Sequence, residues 1–307
     1  MPDLLAALDL GSNSFRLSTG RIVRHNGCAR VETLTRLKET VRLASGLDAD
    51  GQLNGEVTDR AAQVLHAFAA HLQAREVSQV RAVATNTLRI ARNLDIVLPR
   101  LETALGYPIE IVSGIEEARL IFVGISHDLP DDNATRLMVD IGGGSTEIIL
   151  GQNQTPLHLD SLPMGCLSFT HQFFADGTIT KTAMAQAVQA ASTQVAKVAG
   201  PYQQTGWQQA YGSSGTAKGL LAVLQETGFA PEGITTSGLL RLKHQLEHDG
   251  QVRLDTLPGL KPARVHVLAG GLAIMLGIFQ TLGITQAMVA GEGALRRGVM
   301  AEMIPSD

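Results

Sequence analysis

Cysteine is scarce. Cys28 and Cys166 are the two in 307 residues, far apart and in no CxxC spacing, so the plain reading is a pair of reduced thiols in a cytosolic protein. An excess of one charge is lacking too: 25 basic side chains face 29 acidic ones, a formal −4. Nothing global then draws the chain to nucleic acid or an anionic membrane, and any polyanion must be held by a local basic cluster. No low-complexity tract or block of like charge marks disorder. The nine histidines form no HxH or HExxH spacing and no cluster with cysteine, which excludes a zinc site. GxSxG is missing, and with it serine-hydrolase chemistry. GSSGTAK, residues 212–218, has the wrong spacing for a P-loop, and GEGALRRG misplaces the third glycine of a dinucleotide fingerprint. MPDLLAALDL carries an acid where a signal peptide needs basic residues, so a cytoplasmic location is expected. One long apolar run, residues 265–284, approaches bilayer-spanning length. His266, Gln280 and the paired Gly270 and Gly271 inside it predict instead a helix buried in a large α/β domain.

What is present suits a folded protein of about two domains, 44% hydrophobic and 18% charged. Strand-length apolar runs recur as LLAALDL, FRLSTGRIV, RVETLTRL, QVRAVAT, IEIVS, RLMVDIG, TEIILGQ, PLHLDSL and QAMVAG. Helical stretches lie between them. VTDRAAQVLHAFAAHLQAR puts Val64, Leu65, Phe68 and Leu72 on one face, and a second helix runs from Thr180 as N-cap to Gly200 and Pro201. The mixture predicts an α/β architecture. It also contains an echo. DLGSNS at residues 9–14 and DIGGGSTE at residues 140–147 each follow an apolar strand and precede another, 131 positions apart. That is about one domain length, and it predicts two similar domains, residues 1–120 and 121–307.

Glycine lets a backbone take positive φ and approach a ligand without a Cβ in the way, and successive exposed N–H groups form a nest for phosphate. Gly11 in the first loop and Gly142, Gly143 and Gly144 in the second supply such backbone; Ser12, Asn13, Ser14, Ser145 and Thr146 add donors. A carboxylate beside a phosphate is repulsive unless a cation intervenes. Asp9, Asp140 and Glu147 therefore read as holders, directly or through water, of a divalent metal, Mg²⁺.

The paired-loop plan resembles the superfamily of actin, the heat-shock chaperones and the sugar and acetate kinases. DLGSNSFRL, RLKETVRLASGL, ATNTLR, VSGIEEARLIF, VDIGGGSTEI, MGCLSFT, GSSGTAKG, LPGL and GALRRGV occur in that order. Together they look like the exopolyphosphatase / guanosine pentaphosphate phosphohydrolase family, over nearly the whole chain. SGIEEARL with DIGGGSTE is the most specific part. The resemblance implies two actin-like (ribonuclease H-like) α/β domains facing each other across a phosphate-binding cleft.

Site residues follow from both sources. Of the adjacent Glu116 and Glu117, neighbours point about 100° apart on a helix, so one faces a cleft, and the residues alone leave the choice open. The family's second glutamate is the catalytic one, which carries over to Glu117. Arg89 closes ATNTLR at the end of a strand, where a guanidinium can grip phosphate oxygens, and the family's matching arginine does so. Arg264 aligns with another family arginine near the phosphate chain, with a surface cation before a helix as the other reading. Ser214, Gly215 and Thr216 represent the family's Gly-Ser-Gly-Thr region, a second phosphate or nucleotide contact. Lys38 and Arg42 either extend a basic track or line an exposed strand edge. Cys166, in the apolar MGCLSF, reads as packing. Glu292 stands where the family commonly has aspartate.

Long family members continue past GALR with further domains that help hold long polymers, whereas this chain stops at Asp307. The expected activity is therefore exopolyphosphatase action on shorter chains, with water activated by Glu117 and charge neutralised by Mg²⁺ and Arg89; a monovalent cation such as K⁺ is a further candidate. Guanosine pentaphosphate hydrolysis is the alternative within the class, and a non-enzymatic nucleotide-sensing regulator the rival outside it. The expected partners are inorganic polyphosphate or guanosine pentaphosphate and a second copy of the chain in a homodimer, with no nucleic acid and no membrane.

Overall fold

Leu4–Leu10 is almost wholly buried, as a strand covered on both faces must be, and forms β1 of a five-stranded sheet. The computed structural model describes residues 4–25, 28–127, 129–291 and 294–305; Glu292 and the side chain of Cys28 lie outside the described residues. β2 (Ser14–His25) and β3 (Cys28–Thr40) run antiparallel in succession from β1. Then come α1 (Gly55–Gln73), β4 (Gln79–Ala84), α2 (Asn86–Ile90), α3 (Leu94–Leu105), β5 (Ile109–Ile111) and α4 (Gly114–Ser126). The sheet order is β3-β2-β1-β4-β5, with β4 parallel to β1 and β5 parallel to β4. α1 begins at Asn54, whose side chain accepts from the Val57 N–H, and it buries Val57, Ala61, Leu65, Phe68 and Leu72 at helical spacing.

A second sheet repeats the winding. Its elements are β6 (Thr135–Ile141), β7 (Thr146–Gln152), β8 (Thr155–Leu162), α5 (Cys166–Phe173), α6 (Lys181–Ala196), α7 (Ala199–Thr205), β9 (Gln209–Ser213), α8 (Ser214–Glu226), α9 (Thr236–Asp249), α10 (Leu268–Leu282) and β10 (Val289–Ala290). The order β8-β7-β6-β9-β10 has the same pattern of two antiparallel and two parallel neighbours. β9, QAYGS, is the strand that periodicity misses. It is five residues long with little apolar alternation, and its pairing between β6 and β10 makes it a strand.

The chain divides into Met1–Asp128 with Gly293–Asp307, and Leu129–Glu292. This differs from the expected boundary at residue 120, which would cut α4 in mid-helix. It also returns the last helix, α11 (Ala294–Ala301), to the first unit, where it packs on α4 and β1. The expected second helix stops at Ala196, and Pro201 falls in the first turn of α7, where its missing N–H costs no hydrogen bond. Residues 262–282 form the one described helical segment long and apolar enough to cross a membrane, and 78% of its apolar window is buried. α5, α6, α8 and α9 enclose α10.

Candidate functional site

In the first unit the acid at the top of β1 has cations around it. Asp9 stands opposite Arg16 in the strand register, and Arg16 Nη1 lies 3.9 Å from Asp9 Oδ2. Arg296 Nη1, from α11, lies 3.6 Å from the same oxygen. Asp9 was expected to need a metal for its charge; protein cations already supply part of that compensation. The adjoining turn is held from behind. Val41 and Arg42 donate backbone N–H groups to Asn13 O at 3.1 and 2.8 Å, and Ala44 donates to Ser12 O at 2.9 Å. Within a trans peptide the C=O and the next N–H point opposite ways, so the Asn13 N–H is aimed away from that segment. Asn13 Oδ1 and Ser14 Oγ are buried with no hydrogen-bond partner. Buried polar atoms in that state are rare, and an anion with its counterion would relieve both. Arg42, in left-handed backbone at φ 55°, and Lys38 are exposed.

Glu117 and Arg89 come together in the same unit. Ser113 caps α4 by accepting from Glu116 N–H, which sets both glutamates in the first turn, where the helix dipole favours negative charge. Glu117 is buried, and its Oε2 accepts from Arg89 Nη1 at 3.2 Å. The same Nη1 donates to Val112 O at 2.9 Å, while Arg89 Nε and Nη2 make no hydrogen bond among the described residues. Glu116 is only half-buried and forms a two-point pair with Arg119, at 2.8 and 2.7 Å.

In the second unit the glycine turn acts as the cap of a helix. Gly142 O accepts from Cys166 N–H at 2.9 Å, and Gly143 O accepts from Leu167 and Ser168 N–H at 2.9 and 3.3 Å. These carbonyls satisfy the first N–H groups of α5. By the same peptide geometry the N–H groups of Gly143 and Gly144 point away from α5, the arrangement that receives an anion. Gly165 makes this possible. A Cβ there would overlap the backbone of Gly143 and Gly144. Gly11, Gly142, Gly143 and Gly144 are not among the positive-φ residues; among the described residues left-handed backbone occurs elsewhere, notably at Ser214, φ 74°.

The remaining expected residues divide. Asp140 and Glu147 are cross-strand partners, so their side chains share a face; Asp140 accepts from Ser213 Oγ, and Glu147 accepts from Ser161 Oγ at 2.8 Å. Thr146 is fully buried and donates to Met164 O at 2.6 Å, and Ser145 closes the turn by accepting from Gly142 N–H at 2.9 Å. Ser214 and Thr216 both donate to Ile141 O at 2.9 Å. The hydroxyls of Thr146, Ser214 and Thr216 thus tie β6, the turn and the start of α8 together. Gly215 lies flat under Arg264, whose guanidinium occupies the space a Cβ would take. Cys166 is packing: burial pushes its thiol up, away from the thiolate.

Strand register also identifies residues that motif reading passed over. Arg16 holds in the first unit the position of Glu147 in the second, since 131 residues separate both Asp9 from Asp140 and Arg16 from Glu147. Ser213, Gly165 and Arg296 lie within GSSGTAKG, MGCLSFT and GALRRGV, but nothing local in those stretches, or around Ser161, tells which partner each meets. For a divalent cation the donor chemistry fits: Asp140 and Glu147 are hard carboxylates on one face, and both arginine contacts of Asp9 fall on Oδ2. Among the described residues no group of three or more His, Cys, Asp or Glu gathers, so solvent or substrate oxygens would complete a coordination shell.

Two identically wound α/β units, each with an acid and a tight turn at the top of its first strand, define a duplicated phosphate-handling architecture. A model of the Ppx/GppA phosphatase family matches residues 21–307, and the chain belongs to that family. The family implies a phosphohydrolase. An exopolyphosphatase from Cytophaga hutchinsonii is similar in structure, with a TM-score of 0.85 at 24% identity, over 98% of this chain and 97% of that one. The Aquifex aeolicus member of the Ppx/GppA family is similar at a TM-score of 0.79 and 22% identity, over 98% of this chain and 97% of that one. At such identities these likenesses establish the shared α/β fold.

Proposed function

We propose that the chain is an exopolyphosphatase that removes the terminal phosphoryl group from shorter polyphosphates by direct attack of water. The observation that carries the reading is the buried Glu117 beside Arg89, whose Nε and Nη2 are uncommitted. Glu117 accepts a proton from the attacking water as the water oxygen bonds to phosphorus; the bond from phosphorus to the bridging oxygen breaks, and the shortened chain leaves with that oxygen. Nη1 of Arg89 keeps the Glu117 carboxylate in place, and the two remaining nitrogens neutralise charge on the transferring group. The N–H groups of Gly143 and Gly144, with Arg264 over Gly215, hold phosphate oxygens. Asp140 and Glu147 in the second unit, and Asp9 in the first, are the acids that would hold Mg²⁺, which when bound supplies charge neutralisation on the phosphates.

The test is phosphate release from tripolyphosphate, long polyphosphate and guanosine pentaphosphate, assayed side by side with Mg²⁺ and again after chelation. The reading predicts fastest release from tripolyphosphate, lost on chelation and restored by Mg²⁺. Preference for guanosine pentaphosphate would reassign the substrate, and no release from any of the three would overturn the hydrolase reading.

A further inference from the structure

α11 is held against α4 by backbone contact, because Gly298 and Gly124 carry no side chain. A Cβ on Gly298 would overlap Leu120 O, and one on Gly124 would overlap Ala294 O. Contact this close fixes the height and rotation of α11 on the first unit. Two residues before Gly298, Arg296 is delivered to the inside, where it is 9% exposed. Its Nε donates to the buried hydroxyl of Ser18 at 2.8 Å, and its Nη1 stops 3.6 Å from Asp9 Oδ2. Burial pulls the guanidinium down to about 10, with Asp9 opposing and Arg16 and Arg36 adding to the fall, so it stays cationic at neutral pH. A desolvated arginine is costly, and a helix face that needed only to pack would carry leucine there.

The geometry of the pair says what the arginine does. Both arginines reach Asp9 Oδ2 at 3.6 and 3.9 Å, within Coulomb range and beyond hydrogen-bond length. Oδ2 is thus attracted by two guanidinium groups, neither at hydrogen-bond length. The other oxygen, Oδ1, lies on the side of the turn, 3.4 Å from where a Cβ on Gly11 would stand. We propose that Arg296 is the positioning residue of Asp9: fixed by Ser18 and by the glycine contact of α11, it balances Arg16 and keeps the second carboxylate oxygen turned to the Gly11 loop. Without it, Asp9 would close onto Arg16 as an ordinary hydrogen-bonded ion pair and leave the loop. The inference deepens the proposed function, since it takes the Asp9 carboxylate as part of the phosphate and cation site.

The test is a double-mutant cycle on the full chain with Arg296→Met, Asp9→Asn and the combination. Tripolyphosphate hydrolysis is one readout, and calorimetric binding of Mg²⁺ without substrate is the other. Arg296→Met should lower kcat at least about tenfold and weaken Mg²⁺ binding, and the double variant should be no worse than Asp9→Asn within about threefold. Ser18→Ala should give a smaller loss in the same direction. Multiplicative losses in the cycle, or a variant that loses thermal stability with unchanged kcat and Mg²⁺ binding, would overturn the proposal by making Arg296 a packing residue. If the wild-type chain hydrolyses nothing yet the Mg²⁺ binding cycle is non-additive, the proposed activity fails and the Arg296–Asp9 coupling stands.

Discussion

Glu116 and Glu117 are neighbours in the chain with opposite surroundings. One is half-buried and clasped by Arg119, the other buried on Arg89. Glu117→Gln keeps size and reach and removes the proton acceptor, so turnover should fall about 10²–10⁴-fold while tripolyphosphate binding holds or tightens. Glu116→Gln should leave kcat within about threefold and cost about 0.5 kcal/mol of stability, the worth of a helical i,i+3 pair. Stopped-time phosphate release and a direct binding measurement on both variants check this; a dead Glu116→Gln enzyme would move the base one residue back. Gly165 offers a test of the loop without touching a charge. Gly165→Ala should push the Gly143–Gly144 backbone off α5, at about 1–3 kcal/mol of thermal stability, with a raised KM for polyphosphate. An unchanged KM would remove the glycine turn from the binding machinery.

At the scale of elements, α11 is the piece whose local sequence says least about its place. Just past its end Glu302 accepts from Arg81 at 2.8 Å and pairs with Arg119, while Arg81 also holds Glu110 through two bonds at 2.9 and 3.0 Å. The network joins the C-terminal segment to β4, β5 and α4. Burial pushes the Glu302 carboxyl up, but hydrogen bonds from Arg119 and Arg81 outweigh it and hold it below its ordinary 4.5. The sign follows from linkage. A depressed folded value gives stability that is present above 4.5 and lost as the pH falls through it. Glu302→Gln should therefore cost about 1 kcal/mol at pH 7, and the gap from wild type should narrow at a second, acidic pH well below 4.5. Urea melts of both proteins at the two pH values read this directly, and a pH-independent gap would mean the loss is packing.

For the molecule as a whole, the consequence is how substrate is used. With the phosphate contacts proposed above confined to a chain's terminal phosphates, release should be distributive, because those few contacts retain a long chain weakly between turnovers. Long polyphosphate should give a ladder of intermediates on a gel, and tripolyphosphate should be used at least as well as chains of hundreds of units. Long chains vanishing without intermediates would contradict this.

Much of this was legible before folding. Alternating or continuous apolar runs mark nine of the strands, and Asn54 and Thr180 mark helix starts through short-range hydrogen bonds. The repeated acid-then-glycine turn announces the duplicated fold, because backbone that must approach closely tolerates only small residues. Those are effects of period and of nearest neighbours, which a linear string carries. Folding had to decide the rest. Arg296 meets Asp9 across nearly the whole chain only because α11 packs on α4, and Gly165 lies under Gly143 only because α5 starts from the turn. Strand register decides that Arg16, and not a second acid, stands beside Asp9. In each case the partner lies far away in sequence, and its place is set by packing and register, which leave no periodicity to read.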